Sequence, residues 1–96
     1  MATKIIERNF PGKSADELYQ AAEVILRRLG EKYGIACTFD PAGRTITVPE
    51  KMGVKGLCSV VDGQVKVELT HGLLGGAVVG TVKDYIEQKL DRLFTA

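Results

Sequence analysis

The chain has little of what usually announces a chemistry. It carries a single histidine and two cysteines, Cys37 and Cys58, 21 positions apart with no Cys-x-x-Cys pair. Without a secretory context, two such thiols read as reduced, buried side chains rather than a disulfide or a metal site. An excess of one charge is also missing: thirteen basic residues meet twelve acidic ones for a net +1, and the signs are interspersed. That balance excludes the basic footprint of a nucleic-acid-binding protein. No apolar run approaches the length of a membrane span, and the opening MATKIIERNF carries Lys4, Glu7 and Arg8 where a secretory segment would be apolar. The expectation is a cytoplasmic protein. Its 96 residues suit one domain, 1–96, burying roughly 60–70% of the unfolded surface without covalent staples.

What is present is a legible series of elements. Asp62-Gly63 between two apolar-rich runs predicts a hairpin with a two-residue type I′ loop, since Gly adopts positive φ without a Cβ penalty. That loop sets Val61 beside Gln64, Val60 opposite Val65, Cys58 opposite Val67, Gly56 opposite Leu69 and Val54 opposite His71. The pairs from Val60–Val65 to Val54–His71 form the core face, because the other face, with Val61, Gln64, Ser59, Lys66, Leu57, Glu68, Lys55 and Thr70, is largely polar. Residues 3–9 suit a first strand at an edge. Ser14 and Glu17 form a capping box that starts a helix with Leu18, Ala21, Ala22, Ile25, Leu29 and Tyr33 at helical spacing, stopped by Gly34. Ile35–Phe39 and Arg44–Val48 alternate around Asp40-Pro41-Ala42-Gly43, and a four-residue loop keeps Ile35, Cys37, Phe39, Ile46 and Val48 on one face. A closing helix buries Val79, Val82, Ile86, Leu90 and Leu93. The fold class is therefore α+β, an antiparallel sheet of four to five strands packed on two helices in the order β-α-β-β-β-β-α. That order resembles a reduced helix-grip arrangement.

Few residues form a chemical constellation. Gly12-Lys13-Ser14 lies between a strand and a helix, but a phosphate-binding loop needs glycine where Glu7 stands, so Ser14 reads as a helix cap. A Cys58–His71 dyad fails on geometry: His71 faces Val54, and Cys58 lies four residues further along that strand, about 13 Å away. The residues assign no catalytic set, metal or cofactor. The unusual stretch is residues 72–80, GLLGGAVVG, without a charge. Glycine costs a helix up to about 1 kcal/mol against alanine, so the second helix is expected to be well formed only beyond Gly80. Exposed Leu73, Leu74 and Val78 would meet a hydrophobic surface such as a lipid or polyester inclusion. Alternatively, the free amides of Gly75 and Gly76 would receive an anion, or the leucines would simply close the end of the core.

Several runs carry a family resemblance: Leu29-Gly30-Glu31-Lys32-Tyr33-Gly34-Ile35, Gly53-Val54-Lys55-Gly56, Val65-x-Val67-x-Leu69, Gly72-Leu73-Leu74, and Val82-Lys83-x-Tyr85-Ile86-Glu87-x-x-x-Leu90-Asp91. With Ile6-Glu7-Arg8 they are similar to the small bacterial polyhydroxyalkanoic acid (PHA) system proteins. The resemblance implies an accessory or binding protein associated with polyhydroxyalkanoate granules, their synthesis enzymes or granule-associated proteins. Residues 75–80 depart from the more charged helix start of that family. A second reading is a hydrophobic-ligand-binding domain or minor enzyme, its pocket lying between the sheet and the last helix. Gly56 would give that pocket room, with His71, Cys37, Tyr85 or Glu87 at its edge. A homodimer through an exposed strand or the first helix is compatible with either.

Overall fold

The computed structural model describes residues 2–94, with nothing described of the Leu74 side chain. The chain runs β1 (Ala2–Asn9), α1 (Ala15–Tyr33), β2 (Thr38–Asp40), β3 (Thr45–Lys51), β4 (Val54–Val61), β5 (Gln64–His71), a short 3-10 turn (Leu73–Gly75) and α2 (Gly76–Asp91). This is the predicted α+β order. The five strands make one antiparallel sheet, β1-β5-β4-β3-β2, so the first strand lies at an edge beside the last.

Every pair predicted for the β4–β5 hairpin is found, from Val61 with Gln64 to Val54 with His71. The turn itself differs: only Gly63 has positive φ, 77°, so the loop is not type I′. The reason is tertiary. Asp62 Oδ1 accepts a 2.8 Å hydrogen bond from the Ala15 amide. The Gly63 amide donates to the Lys13 carbonyl, and the Phe10 amide donates to the Gly63 carbonyl. The turn is thus bound to the start of α1. Two positive φ values occur instead at Met52 (54°) and Gly53 (80°), which close a β3–β4 hairpin that the sequence reading treats as a linker.

The strand expected over residues 35–39 begins only at Thr38. Gly34 ends α1 in the left-handed region, and the amides of Gly34 and Ile35 both donate to the Gly30 carbonyl, folding the chain back over the last helical turn. A Cβ on Gly30 would overlap the Ile35 carbonyl oxygen, so the missing side chain permits that return. Phe39 and Ile46 do share a face, as expected, but they pair directly. The loop is shifted by one residue, with Arg44 at φ 53° and Asp40 Oδ1 accepting from the Gly43 amide.

Both helices cover one face of the sheet. The core joins Leu18, Ala22, Ile25, Leu26 and Leu29 of α1 and Val79, Val82, Ile86 and Leu90 of α2 to Ile6, Ile46, Val54, Cys58, Val60, Val65, Val67 and Leu69. The Ser14–Glu17 capping box is present. Arg8 binds β1 to α2, donating to Glu87 at 2.9 Å and Asp91 at 2.7 Å. Across the open face the register aligns Thr38, Thr47, Leu57, Glu68 and Ile5 in one row.

Helix α2 begins at Gly76, not beyond Gly80 as its glycines predict. The Gly72 amide donates to the Gly53 carbonyl and the Gly75 amide to the Gly72 carbonyl. Val79 is buried in the core, so packing outweighs a propensity cost of about 1 kcal/mol per glycine.

Candidate functional site

The predicted site residues divide among three places. His71, Leu73, Gly75, Gly76 and Val78 gather at the end of the sheet where the Met52-Gly53 turn meets the 3-10 turn. The backbones approach closely here: a Cβ on Gly75 would lie 2.5 Å from the Gly53 carbonyl oxygen. Leu73 is wholly exposed and Met52 is 67% exposed. Beside Met52 the exposed Glu50 and Lys51 side chains are held by backbone groups: Glu50 Oε1 accepts from the Gly53 amide and Lys51 Nζ donates to the Gly34 carbonyl. Leu73 and Met52 are the exposed large apolar side chains of this tip. One hollow beside it, of about 340 Å³, is lined by Ala2, His71, Gly72 and Leu73. A second, of about 390 Å³, is lined by Glu50, Met52, Gly53 and Val78. Met52 is the tip residue the sequence reading missed; the signal was a residue-glycine pair between two strand patterns. The Leu74 side chain, the other predicted contact, lies outside the described positions.

His71 ends β5 half-buried. Its Nδ1 lies 3.0 Å from the Gly72 carbonyl oxygen; a carbonyl only accepts, so Nδ1 carries the proton. Nε2 is buried without a partner among the described residues. The amides of Gly72 and Gly75 are already bonded internally, which removes two donors from an anion at this helix start.

Gly56 lies elsewhere, inside the sheet. Its missing side chain makes room for Leu69, whose Cδ2 would be 2.9 Å from an added Cβ, and for Val48. Among the described residues the space between sheet and α2 is small: about 10 Å³ remains among Cys58, Val65, Val67, Ile86 and Leu90. A cleft of about 30 Å³ lies by Val48, Val54, Val78 and Val82. A cavity needs roughly 10–15 Å³ for one water, so neither space holds an acyl ligand. Tyr85 stands apart from the tip, edge-on to Tyr33 at 6.4 Å, with Lys32 and Lys89 near its ring. Glu87 belongs to the Arg8 and Lys83 pairs. Cys37 lines a shallow hollow of about 280 Å³ with Leu26, Arg27, Gly30, Ile35 and Phe39.

Burial raises both thiol pKa values, that of Cys58 to about 12, so neither is poised as a thiolate near neutrality. Among the described residues no three His, Cys, Asp or Glu side chains are grouped to hold a metal. No described helix is long and apolar enough to cross a membrane.

Comparison with known proteins agrees with this architecture. A crystal structure of a TBP-like protein from Parabacteroides distasonis superposes with a TM-score of 0.58 at 12% identity, covering 77% of this chain and 60% of that one. The likeness is one of fold, and the chain spans less than two thirds of that protein's length. No curated protein matches the sequence. The family model described as polyhydroxyalkanoic acid system protein matches residues 6–94.

Proposed function

Since this chain belongs to the polyhydroxyalkanoic acid system protein family, we propose that it is a non-enzymatic accessory protein of polyhydroxyalkanoate storage. It meets the polyester surface of the granule through the apolar tip around Leu73, in the cytoplasm where such granules lie. The observation that supports this most directly is the full exposure of Leu73 and the 67% exposure of Met52, on two turns whose backbones meet at Gly53. Single exposed apolar side chains are ordinary; two large ones at adjoining turns, with no charge in residues 72–80, form a patch suited to an apolar partner. Burying each side chain is worth about 1.5–3 kcal/mol.

The test is co-sedimentation with protein-free polyhydroxybutyrate particles. The wild type is expected to pellet with the particles, and a Leu73→Ser/Met52→Ser double variant to bind more weakly by well over tenfold while keeping its circular dichroism spectrum. A wild-type chain that stays in the supernatant, or a double variant that binds as well as the wild type, overturns the reading.

A further inference from the structure

The two edges of the sheet are unlike. The β2 edge is three residues long and runs straight into Pro41, the kind of short, interrupted edge that resists pairing. The β1 edge is eight residues long, contains no proline and keeps an unbroken register with β5 from Ala2 to Asn9. Among the described residues no strand lies on its outer side.

The hairpin register tells which backbone groups of β1 face outward. In a two-residue loop the flanking residues Val61 and Gln64 exchange both hydrogen bonds, so even-numbered residues of β5 bond to β4 and odd-numbered ones to β1. The Gly72 amide donating to Gly53, and the Phe10 amide donating to Gly63, continue that alternation. By register, Ala2, Lys4, Ile6 and Arg8 then bond to β5. Thr3, Ile5, Glu7 and Asn9 turn their amides and carbonyls away from it. Ile5 is 52% exposed on the face opposite the helices.

We propose that the outer edge of β1 pairs antiparallel with β1 of a second copy of this chain, giving one continuous sheet with five strands from each copy. A two-fold axis normal to the sheet keeps the helices of both copies on one side, which allows only registers that pair residues of like parity. Charge then selects among them. Centring the axis on residue 4 opposes Lys4 to Lys4, centring it on residue 6 opposes Lys4 to Arg8, and centring it on residue 7 opposes Glu7 to Glu7; like charges directly opposite one another are unfavourable. Centring it on Ile5 opposes none. Ile5 then exchanges both hydrogen bonds with Ile5 of the second copy, Thr3 pairs with Glu7, Lys4 faces Ile6 and Ala2 faces Arg8. The guanidinium of Arg8 is meanwhile held by Glu87 and Asp91 of its own chain.

Sedimentation equilibrium on the wild type and two variants tests this. Ile5→Pro removes an outward amide without touching a bond to β5, and Ile5→Lys sets two ammonium groups face to face across the axis. A wild-type dimer is expected, with each variant dissociating it at least about tenfold more readily. Cysteine cross-linking reads the register separately. Under mild oxidation Ile5→Cys is expected to form a disulfide-linked dimer, whereas Thr3→Cys, facing Glu7, is not. A monomeric wild type overturns the proposal, as does a dimer indifferent to both variants or one that cross-links through Thr3→Cys and not Ile5→Cys.

Discussion

At the scale of single residues, neighbouring glycines have opposite meanings. Gly75 is required by a close approach, since a Cβ there would meet the Gly53 carbonyl oxygen at 2.5 Å and its carbon at 2.9 Å, both backbone atoms that cannot swing aside. Gly80 lies within α2, and an added Cβ there would meet nothing within 4 Å. Gly75→Ala is therefore expected to destabilise the fold by about 1–3 kcal/mol, and Gly80→Ala to stabilise it by about 0.5–1 kcal/mol through helix propensity. Urea denaturation of the two variants checks the signs; equal effects would show that Gly75 is not wedged. Cys58 illustrates a residue whose role is settled by surroundings, for a thiol at 1% exposure among Val65, Val67 and Ile86 packs as a small apolar group.

At the scale of elements, α1 is capped twice. Ser14 accepts from the Glu17 amide, and Asp62, 47 residues further along, accepts from the Ala15 amide. Asp62→Ala is expected to cost about 0.5–2 kcal/mol, as loss of an N-cap does, while Asp62→Asn retains an acceptor and costs less; thermal unfolding of both variants distinguishes capping from a turn preference. The first cap was legible in the sequence because its partners are three residues apart. The second was not, since nothing local announces that a turn aspartate reaches a distant helix. The same division explains the rest. The β4–β5 register and both helical stripes follow from period and turn chemistry, whereas the β2–β3 register is shifted by a turn centred one residue later. The shortened β2 depends on Gly30 admitting the Ile35 carbonyl, and the early start of α2 depends on Gly53 meeting Gly72 and Gly75, contacts between segments that the sequence places far apart. At the tip, Leu73 was legible as part of an uncharged run and Met52 joined it only when the chain was folded, while Val78, expected exposed, packs partly against the core. Gly56, open in the sequence to either packing relief or an approaching ligand, makes room for Leu69.

At the scale of the whole molecule, the first strand and the last helix are joined by charge. Hydrogen bonding from Lys83, and then from Arg8, holds the Glu87 carboxyl below its ordinary value of 4.5. Arg8 does the same to Asp91, whose ordinary value is 3.8. Folded-state values below the unfolded ones mean that these groups contribute stability above the unfolded values and lose it as pH falls through the lowered folded ones. The melting temperature should therefore decline as pH is taken below about 4.5, and Arg8→Gln should make that decline shallower. Parallel acid limbs for wild type and variant would show that the triad contributes nothing. The open face of the sheet, by contrast, sets Lys55 and Lys66 against Asp40, Glu7 and Glu68. That balance suits a polar, uncommitted surface and not a polyanion, whose phosphates would require a surplus of cations. The placement of β1 beside β5 also governs how the chain is born. Ile6 pairs with Val67, 61 residues later, so at synthesis rates of about 5–20 residues per second the opening strand waits ~3–12 s for its neighbour. Through that interval both edges of β1 are bare and Ile6 has no core to enter. Until β5 is made, β1 therefore carries two unpaired edges, the condition in which a strand is most open to mispairing.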